Sequence, residues 1–321
     1  MTLMRLPDSP IIAVSGFAAD LLNGLQQRPR SVSPKYFYDE AGSQLFELIC
    51  ELPEYYPTRT ELGILAGHAE EMAAVIGPAA DIVEYGAGAS RKIRLLLDAL
   101  EAPRRFVPLD ISGEHLQQAA QRLREDYPGL QIQPLVGDFT HNLALPPAVG
   151  RRVGFFPGSS IGNFEPREAL GLLSRMASSL AGGGLLIGVD LVKTPAVLHA
   201  AYNDAAGVTA RFNKNLLLRA NRELGADFDL DAFAHYAYYN PIQQRIEMHL
   251  VSLCRQVVRL CGERIHFAEG DSLHTENSYK YTIAGFQTLA RSAGFTPQAV
   301  WTDPAQAFSV HWLAAPEGGR S

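Results

Sequence analysis

The chain has 321 residues, of which 47% are hydrophobic and 19% charged, with a formal net charge of −6. This is the composition of a globular protein, and an acidic chain without a lysine or arginine run argues against a nucleic-acid partner. No apolar run reaches the roughly 20 residues of a membrane-spanning helix, and the N-terminus lacks a signal pattern. We therefore expect a cytoplasmic protein without a membrane partner.

Strands and helices alternate through the first part of the chain. Helical spacing of apolar residues predicts helices over 45–52 and 61–76. The predicted strands that follow cover 81–85, 105–110, 131–136, 152–156 and 185–190. The predicted helices between them cover 91–100, 113–126 and 165–180. Alternation at this spacing is typical of βαβ units and indicates a parallel sheet with flanking helices.

The alternation breaks after residue 190. The remaining predicted helices cover 210–224 and 278–293, and the predicted strands cover 242–250, 256–260, 296–301 and 308–313. The short loop between the last two strands predicts a terminal antiparallel hairpin. Such an ending resembles the common methyltransferase fold, and dinucleotide dehydrogenases usually lack it.

These patterns predict an α/β protein with a Rossmann-like class I methyltransferase sheet and a smaller α+β substrate-binding domain. The methyltransferase core is expected to comprise residues 61–198 and 283–321. The substrate-binding domain is expected to comprise residues 8–60 and 199–282 and to cover the carboxyl ends of the strands.

Three features follow successive predicted strands. Gly86 and Gly88 lie between a strand and a helix start, where backbone can approach a ligand closely. The third glycine of a dinucleotide fingerprint would fall at Arg91, so that fingerprint fails, and a plain strand–helix turn is the alternative.

Asp110 ends the next strand, where a carboxylate can accept both ribose hydroxyls; a helix cap is the alternative. Asp138 and Phe139 follow the third strand and suit adenine, the carboxylate accepting from its amino group and the ring packing on its face. Together, these residues and the glycine loop predict a nucleoside-binding site.

Asn163 follows the fourth strand of the predicted sheet, a position that in this fold faces the methyl group of the donor. Its amide offers a donor and an acceptor, and can hold an amine nitrogen and a carboxylate oxygen at once. The alternative is an asparagine that caps the helix beginning near Glu165.

Several segments resemble the L-histidine Nα-methyltransferase family of ergothioneine biosynthesis, in order and spacing over nearly the whole chain. They cover residues 34–39, 52–61, 86–92, 159–164 and 274–278. Leu-Pro-Glu-Tyr-Tyr-Pro-Thr-Arg at 52–59 is the most specific of them. The resemblance implies S-adenosylmethionine as the cofactor and L-histidine as the substrate. It also implies three methyl transfers to the α-amino group, giving hercynine (N,N,N-trimethylhistidine).

The resemblance also implies the site residues. Those matching cofactor contacts are Gly86, Lys92, Asp110, Asp138 and Phe139. Those matching substrate contacts are Tyr56, Asn163, Tyr202, Met248, Glu276 and Ser278. Asn163 and Tyr38, near the amine, are the implied catalytic residues. The glycine loop departs from the family at Ala89, where threonine is expected.

The implied roles fit the chemistry of methyl transfer. Asn163 and Tyr202 are implied to hold the amino and carboxylate groups, and Tyr56 to read the imidazole with the pair described below. In-line displacement at a sulfonium carbon depends chiefly on alignment. The attacking amine must be neutral, and proton loss to water, relayed by a tyrosine, is the expected route. Tyrosine ring faces also tolerate the growing ammonium.

Glu276 and Ser278 are implied to read the imidazole ring. Residues two apart on an extended stretch project the same way, so a carboxylate can accept the ring N–H while a hydroxyl serves the other nitrogen. An indole offers one N–H and no acceptor, which speaks against tryptophan. A capping pair before a helix is the alternative.

No metal site is expected, because His249 and His266 lack partners at metal-ligand spacing. The cysteines, Cys50, Cys254 and Cys261, are expected to be buried thiols. The protein is expected to be a monomer. Two functions other than histidine methylation stay open: Nα-methylation of another free amino acid such as tryptophan, and non-catalytic binding of S-adenosylmethionine or an amino acid. A nucleic-acid methyltransferase is disfavoured, since basic stripes are missing.

Overall fold

The computed structural model describes residues 16–88 and 90–318. The helices are α1 (Gly16–Gln26), α2 (Glu40–Cys50), α3 (Tyr56–Ile76), α4 (Arg91–Ala99), α5 (Gly113–Asp126), α6 (Pro166–Ser179), α7 (Pro195–Tyr202), α8 (Val208–Leu224) and α9 (Ile283–Ser292). Within the described ranges, none of these helices has the length and apolar character needed to cross a membrane.

The strands follow the same chain order. They are β1 (Arg30–Ser31), β2 (Asp81–Tyr85), β3 (Arg105–Asp110), β4 (Gln131–Ile132), β5 (Leu135–Val136), β6 (Arg152–Phe156), β7 (Gly184–Asp190), β8 (Phe233–Asn240), β9 (Arg245–Ser252), β10 (Gln256–Leu260), β11 (Glu263–Phe267), β12 (Ser272–Tyr279), β13 (Thr296–Thr302) and β14 (Phe308–Ala314).

The large sheet has the order β13-β14-β7-β6-β2-β3-β4, with β5 also pairing β3. The strands from β7 to β4 are parallel, whereas β14 is antiparallel to both β7 and β13. Every residue of β2 and β7 is buried, as expected of strands covered by helices on both faces. The predicted α/β class and terminal hairpin are confirmed.

Separate apolar clusters cover the two faces of the large sheet. On one face, Ile64 and Leu65 of α3 and Ile93 of α4 pack with Phe106 of β3. On the other face, α6 and α9 pack through a second cluster that includes Leu173 and Phe286. The sheet is therefore the middle layer of three. The helices of these two clusters cover its faces and leave the carboxyl ends of its parallel strands accessible to the rest of the chain.

The smaller sheet has the order β1-β12-β9-β8 and packs against α8. One face of β9 carries Ile246, Met248 and Leu250 into an apolar core with Phe37 and Phe212. The alternate residues of β9 face the other way, so this sheet is apolar on one side and polar on the other. Strands β10 and β11 form a separate antiparallel hairpin.

Some predicted boundaries are wrong. The helix predicted over 278–293 begins at Ile283, because residues 272–279 pair with β9 and Thr282 caps the helix by accepting from the Gly285 N–H at 3.0 Å. Helix α3 begins at Tyr56 and not at residue 61, with Pro57 in its first turn.

Other differences are smaller. The strand predicted over 131–136 is split into β4 and β5, and the strand predicted over 242–250 covers 245–252. Strand β8 and helix α7 were not predicted. Cys254 and Cys261 are exposed, contrary to the expected burial. The two-domain division stays a prediction, and its first residues, 8–15, lie outside the described part of the chain.

Candidate active site

The glycine loop after β2 is fastened to the end of β3. The Gly86 and Ala87 N–H groups donate to the Leu109 carbonyl at 2.9 and 3.1 Å. Gly86 has a φ of +73°, which favours glycine, and an added Cβ would lie 3.7 Å from the Phe139 ring. The loop backbone therefore lies close to the Phe139 ring and borders the space in front of it. Ala89, the expected departure from the family, lies outside the described residues.

Asp110 links the loop to the start of α5. Its carboxylate accepts from the Gly88 N–H at 3.1 Å and from the Ser112 N–H at 2.9 Å. Asp110 therefore partly fills the helix-capping role considered as the alternative, because its carboxylate stabilises the turn before α5. Each carboxylate oxygen has a further lone pair for a ligand hydroxyl.

Asp138 and Phe139 lie beyond β5. Burial raises the pKa of Asp138, but hydrogen bonds from Thr140 and the charges of Lys35 and His141 outweigh it, so that pKa lies below its usual value. The carboxylate is therefore an ionised acceptor at neutral pH. The Phe139 ring packs edge-on against Phe156, with centroids 5.5 Å apart.

The predicted cofactor residues all line one cavity of about 1090 Å³. Its lining includes Gly86, Lys92, Asp110, Asp138 and Phe139. This volume is ample for a nucleoside-based ligand. The glycine cradle, the ionised Asp138 and the open lone pairs of Asp110 all fit the adenosine part of S-adenosylmethionine.

Lys92 is held by a carboxylate that the sequence did not single out. Its Nζ lies 2.6 Å from Oε2 of Glu61, whose two oxygens also accept from the Gly158 N–H at 3.0 and 2.9 Å. Glu61 is buried, and Gly188 leaves room for it, since an added Cβ there would lie 1.9 Å from Oε1. The sequence signal for Glu61 was its position within residues 52–61, one of the segments that resemble the family.

A second, smaller cavity of about 50 Å³ adjoins the first. Tyr38, Tyr55, Asn163 and Glu276 line both cavities. The small cavity is also lined by Met248, Asp190, Tyr202, Ser278 and Lys280. The predicted catalytic pair therefore lies where the two cavities meet.

Asn163 ends a 3₁₀ turn, Ser160–Asn163, after β6. The turn begins at Ser159, whose φ is +57° and whose Oγ accepts from the Asp190 N–H at 2.9 Å. Helix α6 is capped by Glu165 and Glu168, so the alternative of a capping Asn163 is excluded. Among the described residues, none hydrogen-bonds to the Asn163 side chain, and its amide is free to bind a ligand.

Glu276 and Ser278 project from β12, opposite Met248 and Ile246 of β9. Helix α9 has Thr282 as its cap, which excludes the capping alternative for this pair. Glu276 is buried, and no described residue donates a hydrogen bond to its carboxylate. Burial raises the pKa of Glu276 to about 8, and the charge of Lys280 only partly opposes this.

Tyr202 and Ser278 belong to a hydrogen-bonded group. The Tyr202 hydroxyl donates to Ser278 Oγ at 2.7 Å, and Lys280 Nζ donates to both oxygens at 3.1 and 2.7 Å. Lys280 also pairs with Asp190 at 2.8 Å. The sequence interpretation missed Lys280 and Asp190; their positions beside Ser278 and at the end of a predicted strand were the only signals.

Tyr56 does not line either cavity. Its hydroxyl donates to Asp190 Oδ2 at 2.7 Å and accepts from Lys193 at 2.7 Å. The preceding residue, Tyr55, lines both cavities. Adjacent residues of a helix point about 100° apart, so only one of two neighbouring tyrosines faces a given side.

Glu247, His249 and His274 lie on the polar face of the small sheet, with potential metal-ligand atoms within 4.8 Å of one another. The Glu247 carboxylate already accepts from Tyr238 at 2.7 Å and from Asn240 and Arg245 at 2.9 Å. These contacts help to lower the pKa of Glu247 to about 2, against the opposing effect of burial. The cluster is an ion-pair network, and we assign no metal to it.

A parallel sheet that ends in an antiparallel hairpin, with a glycine loop and acidic side chains at successive strand ends, defines a class I S-adenosylmethionine-dependent methyltransferase. Residues 17–315 match the family described as histidine-specific methyltransferase, SAM-dependent. The chain belongs to that family, and the predicted family, enzyme class and cofactor are confirmed.

Curated relatives agree with the family. The chain is 44% identical over 304 residues to histidine N-alpha-methyltransferase of Mycolicibacterium smegmatis, covering 93% of this chain and 94% of that protein. It is 43% identical to the protein of the same name from Mycobacterium tuberculosis, covering 92% and 94%. It is 32% identical to ergothioneine biosynthesis protein 1 of Neurospora crassa, over 89% of this chain and 33% of that protein.

Proposed function

We propose that this chain catalyses S-adenosylmethionine-dependent Nα-trimethylation of L-histidine to hercynine, a step of ergothioneine biosynthesis. The observation that carries the proposal is Glu276, a buried carboxyl to which no described residue donates a hydrogen bond. It lies in a cavity that meets the nucleoside-sized cavity at Asn163. A buried carboxyl of this kind suits a ligand that brings its own N–H group. The names of the relatives support histidine as that ligand.

The two cavities are proposed to bind different ligands, the large one the cofactor and the small one the amino acid. When bound, S-adenosylmethionine supplies an electrophilic methyl group. Gly86, Asp110, Asp138 and Phe139 hold its nucleoside part, with Lys92 held nearby by Glu61. Asn163 orients the amine, since alignment of nitrogen with the methyl carbon carries most of the catalysis.

Tyr38 acts near the amine as a hydrogen-bond group and not as a base. Burial, followed by the charge of Glu276, raises the pKa of Tyr38 well above its ordinary value. The phenol therefore stays protonated near neutral pH. The amine proton leaves to water, and Tyr38 contributes by orienting the nitrogen and by offering its ring face to the developing ammonium.

The ring is read by Glu276, beside Met248, which forms part of the wall. We infer that Tyr55, and not Tyr56, takes the ring-facing position that the resemblance assigned to Tyr56. Tyr56 then serves the structure, through Asp190 and Lys193.

The smaller sheet with its helices is proposed to form the substrate domain, residues 8–60 and 199–282, over a core of residues 61–198 and 283–321. We further propose that the enzyme is a cytoplasmic monomer that takes a free amino acid and binds no nucleic acid, which the net charge of −6 supports. Light scattering at working concentration tests the monomer, and a dimer mass contradicts it.

Mass spectrometry tests the reaction directly. The purified protein is incubated with S-adenosylmethionine and each of the twenty amino acids separately. We expect triply methylated histidine and no comparable product from the others. Methylation of tryptophan instead would keep the fold and the donor but overturn our interpretation of Glu276. Silence on all twenty would favour the non-catalytic binder.

A further inference from the structure

The turn that carries Asn163 lies directly against strand β12. This turn, Ser160–Asn163, follows β6 of the large sheet, whereas β12 belongs to the smaller sheet. Gly162 is buried, and an added Cβ there would lie 2.8 Å from the Tyr279 carbonyl oxygen and 3.1 Å from the Tyr279 nitrogen. The two backbones are therefore in contact, without room for a side chain between them. The position of Asn163 depends on what holds this contact.

Glu165, two residues after Asn163, holds the contact through its carboxylate. Its Oε1 accepts from Arg245 Nη1 at 2.7 Å and from the Asn277 side-chain amide at 3.0 Å. Its Oε2 accepts from the Tyr279 hydroxyl at 2.6 Å. All three donors belong to strands β9 and β12, whose residues also line the small cavity. These three hydrogen bonds form the Glu165 bridge between the Asn163 turn and the smaller sheet.

Charge balance does not explain the Glu165 bridge. Arg245 already has a second carboxylate, because its Nε donates to Glu247 Oε1 at 2.9 Å. Glu247 is buried, whereas 49% of the Glu165 side chain is exposed. An ion pair with an exposed partner contributes little to stability. Arg245 would therefore keep a partner without Glu165, and the bridge matters chiefly for where the turn lies.

The Asn163 amide has no anchor of its own, because none of the described residues hydrogen-bonds to that side chain. Its position is set by the backbone of the turn. On one side, Ser159 Oγ accepts from the Asp190 N–H at 2.9 Å, and on the other side lies the Glu165 bridge. A displacement of about 1 Å can slow a reaction that depends on alignment by about 100-fold. The reaction rate should therefore depend on both anchors.

We propose that Glu165 is a positioning residue for methyl transfer, which fixes Asn163 relative to β12 and so aligns the substrate amine with the methyl group. The proposal rests on the proposed function and refines it, because it gives a role in the reaction to a residue that does not line the small cavity. Loss of the bridge should slow the chemical step more than it weakens the binding of either ligand.

Single-turnover kinetics test this assignment, because they measure methyl transfer apart from product release. The rate of the first methyl transfer to L-histidine is measured at saturating S-adenosylmethionine and histidine for the wild type, Glu165→Ala and Glu165→Gln. We expect Glu165→Ala to lower this rate by about 10- to 100-fold, while its Kd for S-adenosylhomocysteine changes by less than about threefold. Glu165→Gln keeps the side-chain length and an acceptor oxygen, and should retain most of the rate.

Glu168→Ala is the matched control on the same helix. Glu168 Oε2 accepts from the Glu165 N–H at 3.0 Å, so this variant weakens the start of α6 and leaves the bridge intact. Its rate should stay near that of the wild type. Tyr279→Phe removes one hydrogen bond of the bridge. It should lower the rate by about 3- to 10-fold in the wild type and have little further effect in Glu165→Ala.

The outcomes separate the two proposals. An unchanged rate in Glu165→Ala, or the same loss of rate in Glu168→Ala, overturns the positioning role. A large loss of affinity for S-adenosylhomocysteine in Glu165→Ala would indicate direct contact with the donor and overturns it as well. Should Glu165→Ala not fold, Tyr279→Phe decides the question, and an unchanged rate there contradicts the bridge. Failure of the wild type to methylate histidine contradicts the proposed function itself and removes the basis of this one.

Discussion

At the scale of single residues, the proposed role of Glu276 is to select the side chain of the substrate. Replacing Glu276 with alanine leaves the N–H of the bound ring without an acceptor in a buried site, which costs about 1–3 kcal/mol. We expect Glu276→Ala to lower kcat/KM for histidine by about 10- to 100-fold and to relax the preference among amino acids. Steady-state kinetics with histidine and tryptophan measure both effects.

The control for Glu276→Ala is the binding of S-adenosylhomocysteine. The large cavity is formed chiefly by other residues, so the affinity for this product should change little. A variant that loses histidine and tryptophan turnover equally, with the donor site intact, would contradict the assignment of Glu276 to ring recognition.

The adjacent tyrosines allow a matched comparison. Tyr55 lines both cavities, whereas the Tyr56 hydroxyl is held between Asp190 and Lys193. We expect Tyr55→Phe to raise KM for histidine with little change in stability. Tyr56→Phe should lower the free energy of unfolding by about 1–3 kcal/mol with a smaller change in KM. Urea unfolding and kinetics on both variants check this, and the reverse pattern restores the role first assigned to Tyr56.

At the scale of elements, the interlock between α3 and β7 is the close packing of the Glu61 side chain of α3 against Gly188 of β7. An added Cβ at Gly188 would lie 1.9 Å from Oε1 of Glu61, so Gly188→Ala must displace the carboxylate that holds Lys92 and Gly158. We expect weaker binding of S-adenosylhomocysteine and a loss of stability of about 2–4 kcal/mol. Calorimetry and urea unfolding measure both.

Gly63 supplies the matched control on the same helix. It lies two residues from Glu61 in α3, is exposed, and has open space where a Cβ would be added. Gly63→Ala should therefore stabilise the protein by about 0.5–1 kcal/mol and leave ligand binding unchanged. If Gly188→Ala behaves like Gly63→Ala, the interlock has no role in the donor site.

Strands β2, β3 and β7 of the large sheet were predicted well because each is a short, largely apolar run that is followed by a glycine or ends in an aspartate. Strand β12 was harder to recognise. Its polar residues from Thr275 to Ser278 are buried by pairing with β9 and by the cavity, and neither contact can be predicted from local periodicity. The role of Lys280 depends likewise on a contact with Asp190, which is far away in the chain.

At the scale of the whole molecule, the active site makes stability depend on pH. Burial raises the pKa of Glu276 from 4.5 to about 8, so the folded protein binds a proton that the unfolded chain has released across that window. The stability contributed by this group is fully present below pH 4.5 and is lost as pH rises through 8. Glu276→Gln removes this titration.

Urea unfolding of the wild type and Glu276→Gln at about pH 5.5 and about pH 8.5 isolates the effect, because all other titrations cancel in the difference. We expect the wild type to lose roughly 3 kcal/mol relative to the variant across this range. Glu247→Gln is the matched control. The pKa of Glu247 is about 2, so its carboxylate is ionised at both values and should give no such change. A pH-independent difference between the wild type and Glu276→Gln would mean that Glu276 is hydrated and ionised, leaving the small cavity without its neutral carboxyl.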